Sequence, residues 1–188
     1  GWWLIGVGVA VAIFALAYSA GPFPLSYNGL GDVAVIIFFG IVPVNMTYYL
    51  MVGEFSVDSL LCSVAIGLLA SNVLIVNNYR DMEDDIDAKK RTTVVIFGRK
   101  TMGRAYLISG YAAMVLYIWE LPFDIIVTPI SAIIYITLHT LTWMKLIRLR
   151  GATLNKILGE TARNMLIFTL TIPVIWLIIH LIYRIIPS

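Results

Sequence analysis

Long apolar runs separated by short polar stretches set the pattern of this chain. Trp2 to Tyr18 is continuously apolar, with tryptophans at one end and a tyrosine at the other, as in an interfacial aromatic belt. Further runs cover Val33 to Met51, Val57 to Val76, Gly103 to Trp119, Asp124 to Met144 and Asn164 to Tyr183. Each approaches or exceeds the roughly 17 residues that carry a helix across a hydrocarbon core of about 30 Å. The ten-residue alternation of an outer-membrane barrel strand is absent, so helices have to satisfy the backbone. The pattern predicts an all-α, polytopic membrane helical bundle with six transmembrane helices in one domain, residues 1–188. Pro43 and Pro173 fall inside runs and predict kinks. Asn45, inside the second run, requires a face buried in protein or lining a cavity. His139 and His180 stand alone on different helices and read as packed or interfacial residues. Cys62 reads as a small apolar filler.

The connections are equally patterned. Ser19 to Asp32 holds two prolines and three glycines and reads as a structured loop, with Asp32 placed to cap the next helix. Arg91 to Lys100 is a β-branched piece closed by Gly98 and reads as an ordered connector near the headgroups. The loops after the first, third and fifth runs, with the segment ends that border them, hold 12 of the 13 Lys and Arg residues. The loops after the second and fourth hold Glu54, Asp58, Glu120 and Asp124 and no cation. The excess of cations marks the first set as cytoplasmic. Composition agrees: 60% hydrophobic and 13% charged residues, with a mean hydropathy of +0.91, leave too little polar surface for a soluble domain of 188 residues. The lipid bilayer is the expected surround, and no nucleic-acid partner is expected.

One stretch breaks the apolar pattern. In Asn77-Asn78-Tyr79-Arg80-Asp81-Met82-Glu83-Asp84-Asp85-Ile86-Asp87-Ala88-Lys89-Lys90-Arg91-Thr92, five carboxylates fall within seven positions and three basic residues follow. Carboxylates at this density repel one another unless cations neutralise them. On a helix, positions 77, 81 and 85 share one face, which places an amide and two carboxylates together. Such hard oxygen donors suit Mg²⁺, whose coordination is usually completed by water and substrate phosphates. The plain alternative is a solvated charged loop between two membrane helices.

Asn77-Asn78-Tyr79-Arg80-Asp81-(x3)-Asp85-(x4)-Lys90-x-Thr92 resembles the second aspartate-rich motif of the UbiA-type intramembrane prenyltransferases. It is similar in particular to the branch of 1,4-dihydroxy-2-naphthoate polyprenyltransferases of menaquinone synthesis. The loop Gly21-Pro22-Phe23-Pro24-Leu25-Ser26-Tyr27-Asn28-Gly29-Leu30-Gly31-Asp32 resembles the same branch. The resemblance implies a helical bundle around a cavity opening near the cytoplasmic face of a bacterial-type inner membrane. It implies transfer of a polyprenyl group from polyprenyl diphosphate to dihydroxynaphthoate, with loss of the ring carboxylate, and Mg²⁺ as cofactor. On that reading Asp81 and Asp85 bind Mg²⁺, and Asn77 and Asn78 orient them at the diphosphate. Lys90 and Arg80 contact the diphosphate, Arg80 having a plain alternative as partner of Asp84 at i+4. Tyr27 and Asp32 are weaker candidates for the aromatic acceptor. Tyr48 and Tyr49 are candidates for a π-rich surround of the allylic cation, or plain interfacial anchors. Family members carry nine helices and a first motif, Asn-Asp-x2-Asp-x3-Asp. That motif is not in this sequence, and with six runs and an opening Gly-Trp-Trp the chain reads as a fragment lacking the N-terminal third, inactive on its own. Two rival readings remain: a different UbiA-type enzyme with another acceptor, and a cation transporter subunit.

Overall fold

A computed structural model describes residues 2–120 and 127–185. Seven helices account for nearly all of them: α1 (Trp3–Ser19), α2 (Gly31–Val52), α3 (Val57–Arg80), α4 (Met82–Asp87), α5 (Thr93–Glu120), α6 (Val127–Leu146) and α7 (Leu154–Ile185). No strand occurs among the described residues; a single isolated bridge pairs Asn28 with Arg91. The protein is an all-α membrane bundle. Of the six expected spans, α2, α3 and α6 are long and apolar enough to cross a membrane, and α1 is a shorter apolar helix. Residues Asp124 to Ile126, expected to open the fifth span, and the side chain of His180 lie outside the described residues.

Helix α3 is the central element, packed against α2, α5 and α7, while α6 packs on α5 and α7. Ser56 caps its start by accepting from the Ser59 amide at 2.9 Å. Two apolar clusters surround it. One, toward its C-terminal end, gathers Ile75, Val76, Tyr79, Met102, Tyr106, Leu146 and Ile157; the other, nearer the middle of the bundle, gathers Ala65, Leu69, Met114, Tyr135 and Phe168. Several polar side chains inside the bundle are bonded to one another, as a low-dielectric surround favours. The Asn45 amide donates to Ser63 Oγ at 2.9 Å and to the Ile41 carbonyl at 2.8 Å, and accepts from Ser59 Oγ at 2.8 Å. The expected protein-buried face around Asn45 is therefore present. His139 is a packing residue, stacked on Tyr106 (4.7 Å between ring centres) and on Tyr135 (5.4 Å).

Two local expectations gain detail. At Pro43 the α2 helix is not uniform: residues 36–41 before the proline form a wider π-helical stretch. Proline offers no N–H and its ring crowds the carbonyl four residues back, and a wider turn relieves both. The order expected of the Arg91–Lys100 connector is helical: residues 93–97 open α5, with a break at Gly98, at φ 77° and ψ 158°. Burial of Val94 against the core overrides the weak helix preference of its β-branched neighbours.

The wide turn brings α2 onto α3 at two glycines. A Cβ on Gly40 would lie 2.4 Å from Gly67 Cα and 2.5 Å from the Ser63 carbonyl oxygen, both backbone atoms that cannot swing away. Gly40→Ala is therefore expected to destabilise the protein by about 1–3 kcal/mol or more. Gly159, on α7, meets nothing within 4 Å, and Gly159→Ala should stabilise by about 0.5–1 kcal/mol through reduced chain entropy. Thermal unfolding of both variants in the same detergent checks the opposite signs.

Candidate functional site

The acidic stretch forms where α3 ends. Asp81 is the C-cap of α3, at φ −94° and ψ 11°, and the chain re-enters helix at once as α4. The Asp81 amide donates to the Asn77 carbonyl at 3.0 Å and the Asp85 amide to the Asp81 carbonyl at 2.8 Å. The four-residue spacing predicted for 77, 81 and 85 is thus kept through the bend.

At the end of α4, Lys90 N–H donates to the Asp85 carbonyl at 2.7 Å and Lys89 N–H to the Ile86 carbonyl at 3.0 Å. This pair of bonds is a Schellman closure, which needs a left-handed residue at its corner. Lys89 takes that place at φ 55°, the one described non-glycine residue with positive φ. The turn folds the chain back, so that Lys90 Nζ comes to 3.1 Å from Asp85 Oδ1.

Arg80 is the hub of the other half. Its Nε and Nη2 hold the two Asp81 oxygens at 2.6 and 2.7 Å, Nη2 also donates to Asn77 Oδ1 at 2.8 Å, and Nη1 to Asn155 Oδ1 at 2.8 Å. Four of its five N–H donors are committed. The pairing of Arg80 with Asp84 expected from i+4 spacing does not form. Asp81, adjacent on the bend, offers a bidentate carboxylate instead. Asn77 Nδ2 completes the set by reaching Asp81 Oδ2 at 3.3 Å.

The Gly21–Asp32 loop docks onto this turn. Arg91 N–H donates to the Tyr27 carbonyl at 3.0 Å, Ser26 Oγ to the Tyr18 carbonyl at 2.6 Å, and Lys90 Nζ lies 5.6 Å from the centre of the Tyr27 ring. Asp32 does not cap α2: its position is filled within the first turn, with Leu30 as the N-cap residue. The Asp32 carboxylate accepts from Ser71 Oγ at 3.1 Å and from Thr93 Oγ1 at 2.5 Å, so one side chain ties α2 to α3 and α5. Together with the Arg80–Asn155 contact, these bonds gather the loops after α1, α3 and α6 at one end of the bundle, as the distribution of cations required. Outside the spans, the Arg99 guanidinium bonded to Glu83 holds that carboxyl below the usual range.

Between these elements lies a polar cavity of about 330 Å³, lined among others by Tyr18, Tyr27, Asp32, Asn77, Asn78, Lys90 and Thr93. Five of the eight residues singled out in the sequence therefore share one cavity. Arg80, Asp81 and Asp85 lie behind it, joined to its wall through Asn77 and Lys90. An apolar groove of about 350 Å³, between Phe14 and Tyr18 of α1 and Ala34 and Phe38 of α2, shares Tyr18 with it. Tyr48 and Tyr49 belong elsewhere: Tyr49 packs on Trp3 and Phe55 near the far end of α2, about 25 Å of helix from Asp32. Sequence reasoning missed Tyr18, Ser71 and Asn155, whose roles come only from packing. Thr93 was read as connector.

Among the described residues, no three His, Cys, Asp or Glu side chains converge as a metal cluster. One observation nevertheless fits a cation: Asp85 is 6% exposed, and its Oδ2 is buried without a hydrogen-bond partner. A buried carboxylate oxygen left unpaired is costly unless something positive approaches it.

The sequence model of the UbiA prenyltransferase family matches residues 1–156. The chain belongs to the UbiA prenyltransferase family. Several similar proteins carry more specific names. A 1,4-dihydroxy-2-naphthoate octaprenyltransferase of Haemophilus influenzae is 42% identical over 101 residues, 54% of this chain and 32% of that one. One of Bacillus subtilis is 30% identical over 118 residues, 63% of this chain and 37% of that one. A 2-carboxy-1,4-naphthoquinone phytyltransferase of Synechocystis is 33% identical over 99 residues, 52% of this chain and 32% of that one. The matched stretch of this UbiA-family chain spans about a third of the length of those relatives. No solved structure matches it.

Proposed function

We propose that the protein containing this chain transfers a polyprenyl group from its diphosphate to 1,4-dihydroxy-2-naphthoate. The new carbon–carbon bond forms as the allylic C–O bond breaks. Diphosphate and the ring carboxylate, as CO₂, leave, giving the reduced form of demethylmenaquinone. The observation that carries the reading is the polar cavity itself. A cation, two amides and a carboxylate face it, and an apolar groove adjoins it through Tyr18. An amphipathic substrate with an anionic head and a long apolar tail matches that pairing. The names of the relatives supply the acceptor class.

Lys90 faces the diphosphate, with Asn77 and Asn78 as neutral donors beside it. Arg80, already holding Asp81 and Asn77, acts by fixing the orientation of both. Asp85 Oδ2 and the outer lone pairs of Asp81 are the oxygens that would hold Mg²⁺, with the remaining ligands from water and diphosphate. The ion, when bound, offsets charge developing on the leaving group. Asp32 and Tyr27, which line the same cavity, border the acceptor. The cation-rich end faces the cytoplasm of a bacterial-type inner membrane, where diphosphate substrates are made.

The test is product formation by the full-length protein in lipid, offered octaprenyl diphosphate with dihydroxynaphthoate, 4-hydroxybenzoate or a haem precursor. Prenylated naphthoquinone should form from dihydroxynaphthoate alone and stop on addition of EDTA. Preference for another acceptor would leave a different UbiA-type reaction, and EDTA-resistant turnover would remove Mg²⁺ from it.

A further inference from the structure

A second charged cavity lies on the other side of α3. Tyr79 stands 200° around the helix from Asn77, so its ring faces away from the polar cavity described above. There it forms the floor of a cavity of about 290 Å³, walled by Arg99, Lys100 and Arg104 of α5, Trp143 and Ile147 at the end of α6, and Arg150 of the following loop. Four cations from two elements converge on this space, and no acidic side chain lines it.

Their own bonding leaves most of that charge unmatched. Arg99 is paired with Glu83 through both terminal nitrogens, at 2.8 and 2.6 Å, and donates to the Tyr79 carbonyl at 3.3 Å. Its Nε is buried and has no partner. Arg150 donates only to the Ile147 and Leu149 carbonyls, at 3.1 and 2.6 Å. Lys100 and Arg104 form no hydrogen bond or ion pair among the described residues. Both Arg99 and Arg150 lie over the same Tyr79 ring, 5.7 and 5.8 Å from its centre. Two guanidinium groups about one ring repel each other, and the single carboxylate Glu83, paired directly with Arg99 and acting on Arg150 at longer range, offsets only part of their charge. Cations that served only to fix topology would gain by spreading into water rather than converging.

The location says what kind of anion fits. The span of α6 ends at Leu146, so Trp143 and Ile147 stand at the edge of the hydrocarbon layer. The Trp143 indole donates to the Gly103 carbonyl at 2.8 Å, which locks α5 to α6 at that depth. An anion entering here meets charged donors above and an apolar wall below.

We propose that this cavity binds a phosphate group, presented either by the headgroup of an anionic lipid or by a soluble phosphate. Basic pockets between membrane helices at the headgroup level are suited to either. Arg104 and Arg150 supply forked donors and Lys100 a mobile charge, with Arg99 adding to the positive potential of the wall. With Arg99 also holding Glu83, an anion here braces the segment next to the acidic turn. The cavity is separate from the reaction site, and its occupancy does not depend on which substrates that site takes.

The experiment is thermal unfolding of the full-length protein in neutral detergent with phosphatidylglycerol or phosphatidylcholine added, and separately with sodium phosphate or sodium chloride at equal ionic strength. Phosphatidylglycerol is expected to raise the melting temperature by about 3 °C or more over phosphatidylcholine. K100Q/R104Q/R150Q should lose that difference, while R148Q/K156Q, which removes two cations outside the cavity, should keep it. An equal rise from inorganic phosphate over chloride would assign the site to the soluble source. If the triple variant does not fold, Arg104→Gln alone carries the comparison, because Arg104 is exposed and bonds to nothing described. No rise from either phosphate source, or a rise that the variants retain, overturns the proposal.

Discussion

Asp85→Asn is expected to lower prenyl transfer by about 10²–10³-fold while leaving the protein folded, and Asp87→Asn to change it by less than about threefold. The two residues sit two positions apart in the same acidic run, and helical periodicity already puts Asp87 off the face shared by Asn77, Asp81 and Asp85. Their surroundings deepen the difference. Asp85 is buried, with one oxygen on Lys90 and the other without a partner. Asp87 is exposed at the end of α4. Converting Asp85 to the amide removes the charge that Lys90 answers and that a divalent cation would need, at a place where the low dielectric magnifies the loss. Converting Asp87 removes a charge already screened by water. Initial rates with saturating acceptor, beside melting temperatures of both variants, are the measurement. Equal losses would mean that the run acts as diffuse charge and that burial of Asp85 has no catalytic consequence.

Lys90→Gln should reduce kcat/KM for the prenyl diphosphate by about 100-fold, most of it through KM, with Lys90→Arg recovering part. Lys90 is the cation that lines the polar cavity, and Arg80 is spent on Asp81, Asn77 and Asn155. A competing account is purely structural: Lys90 neutralises buried Asp85, and its removal strands that carboxylate at a cost of about 3–5 kcal/mol. Melting temperature and KM separate the two. If the role were structural, Lys90→Gln would mainly lower the melting temperature and leave KM for the prenyl diphosphate unchanged. If Lys90 meets the diphosphate, KM rises at temperatures where the variant is still fully folded. Lys89→Gln, at the exposed left-handed corner, serves as the neutral control.

The helical class, the membrane setting and the gathering of the cation-bearing loops at one end were legible along the chain. They depend on hydrophobic length and on one-dimensional charge distribution, which no partner segment has to complete. The spacing of Asn77, Asp81 and Asp85 was legible for the same reason, since helical periodicity is local, and it survived a bend at Asp81 that the sequence did not announce. Tertiary structure alone decided which charges meet. Arg80 took Asp81 instead of Asp84 because the bend puts the nearer carboxylate in bidentate reach. Asp32 became a tie between three helices instead of a cap because Ser71 and Thr93, 39 and 61 residues away, arrive beside it. The docking of the Gly21–Asp32 loop on the Lys89 corner, and the sorting of basic residues into one at the polar cavity and four around Tyr79, likewise had no local signal. Hydrogen bonds and ion pairs act over about 3 Å, and only packing of the helices brings residues so far apart in sequence to that distance.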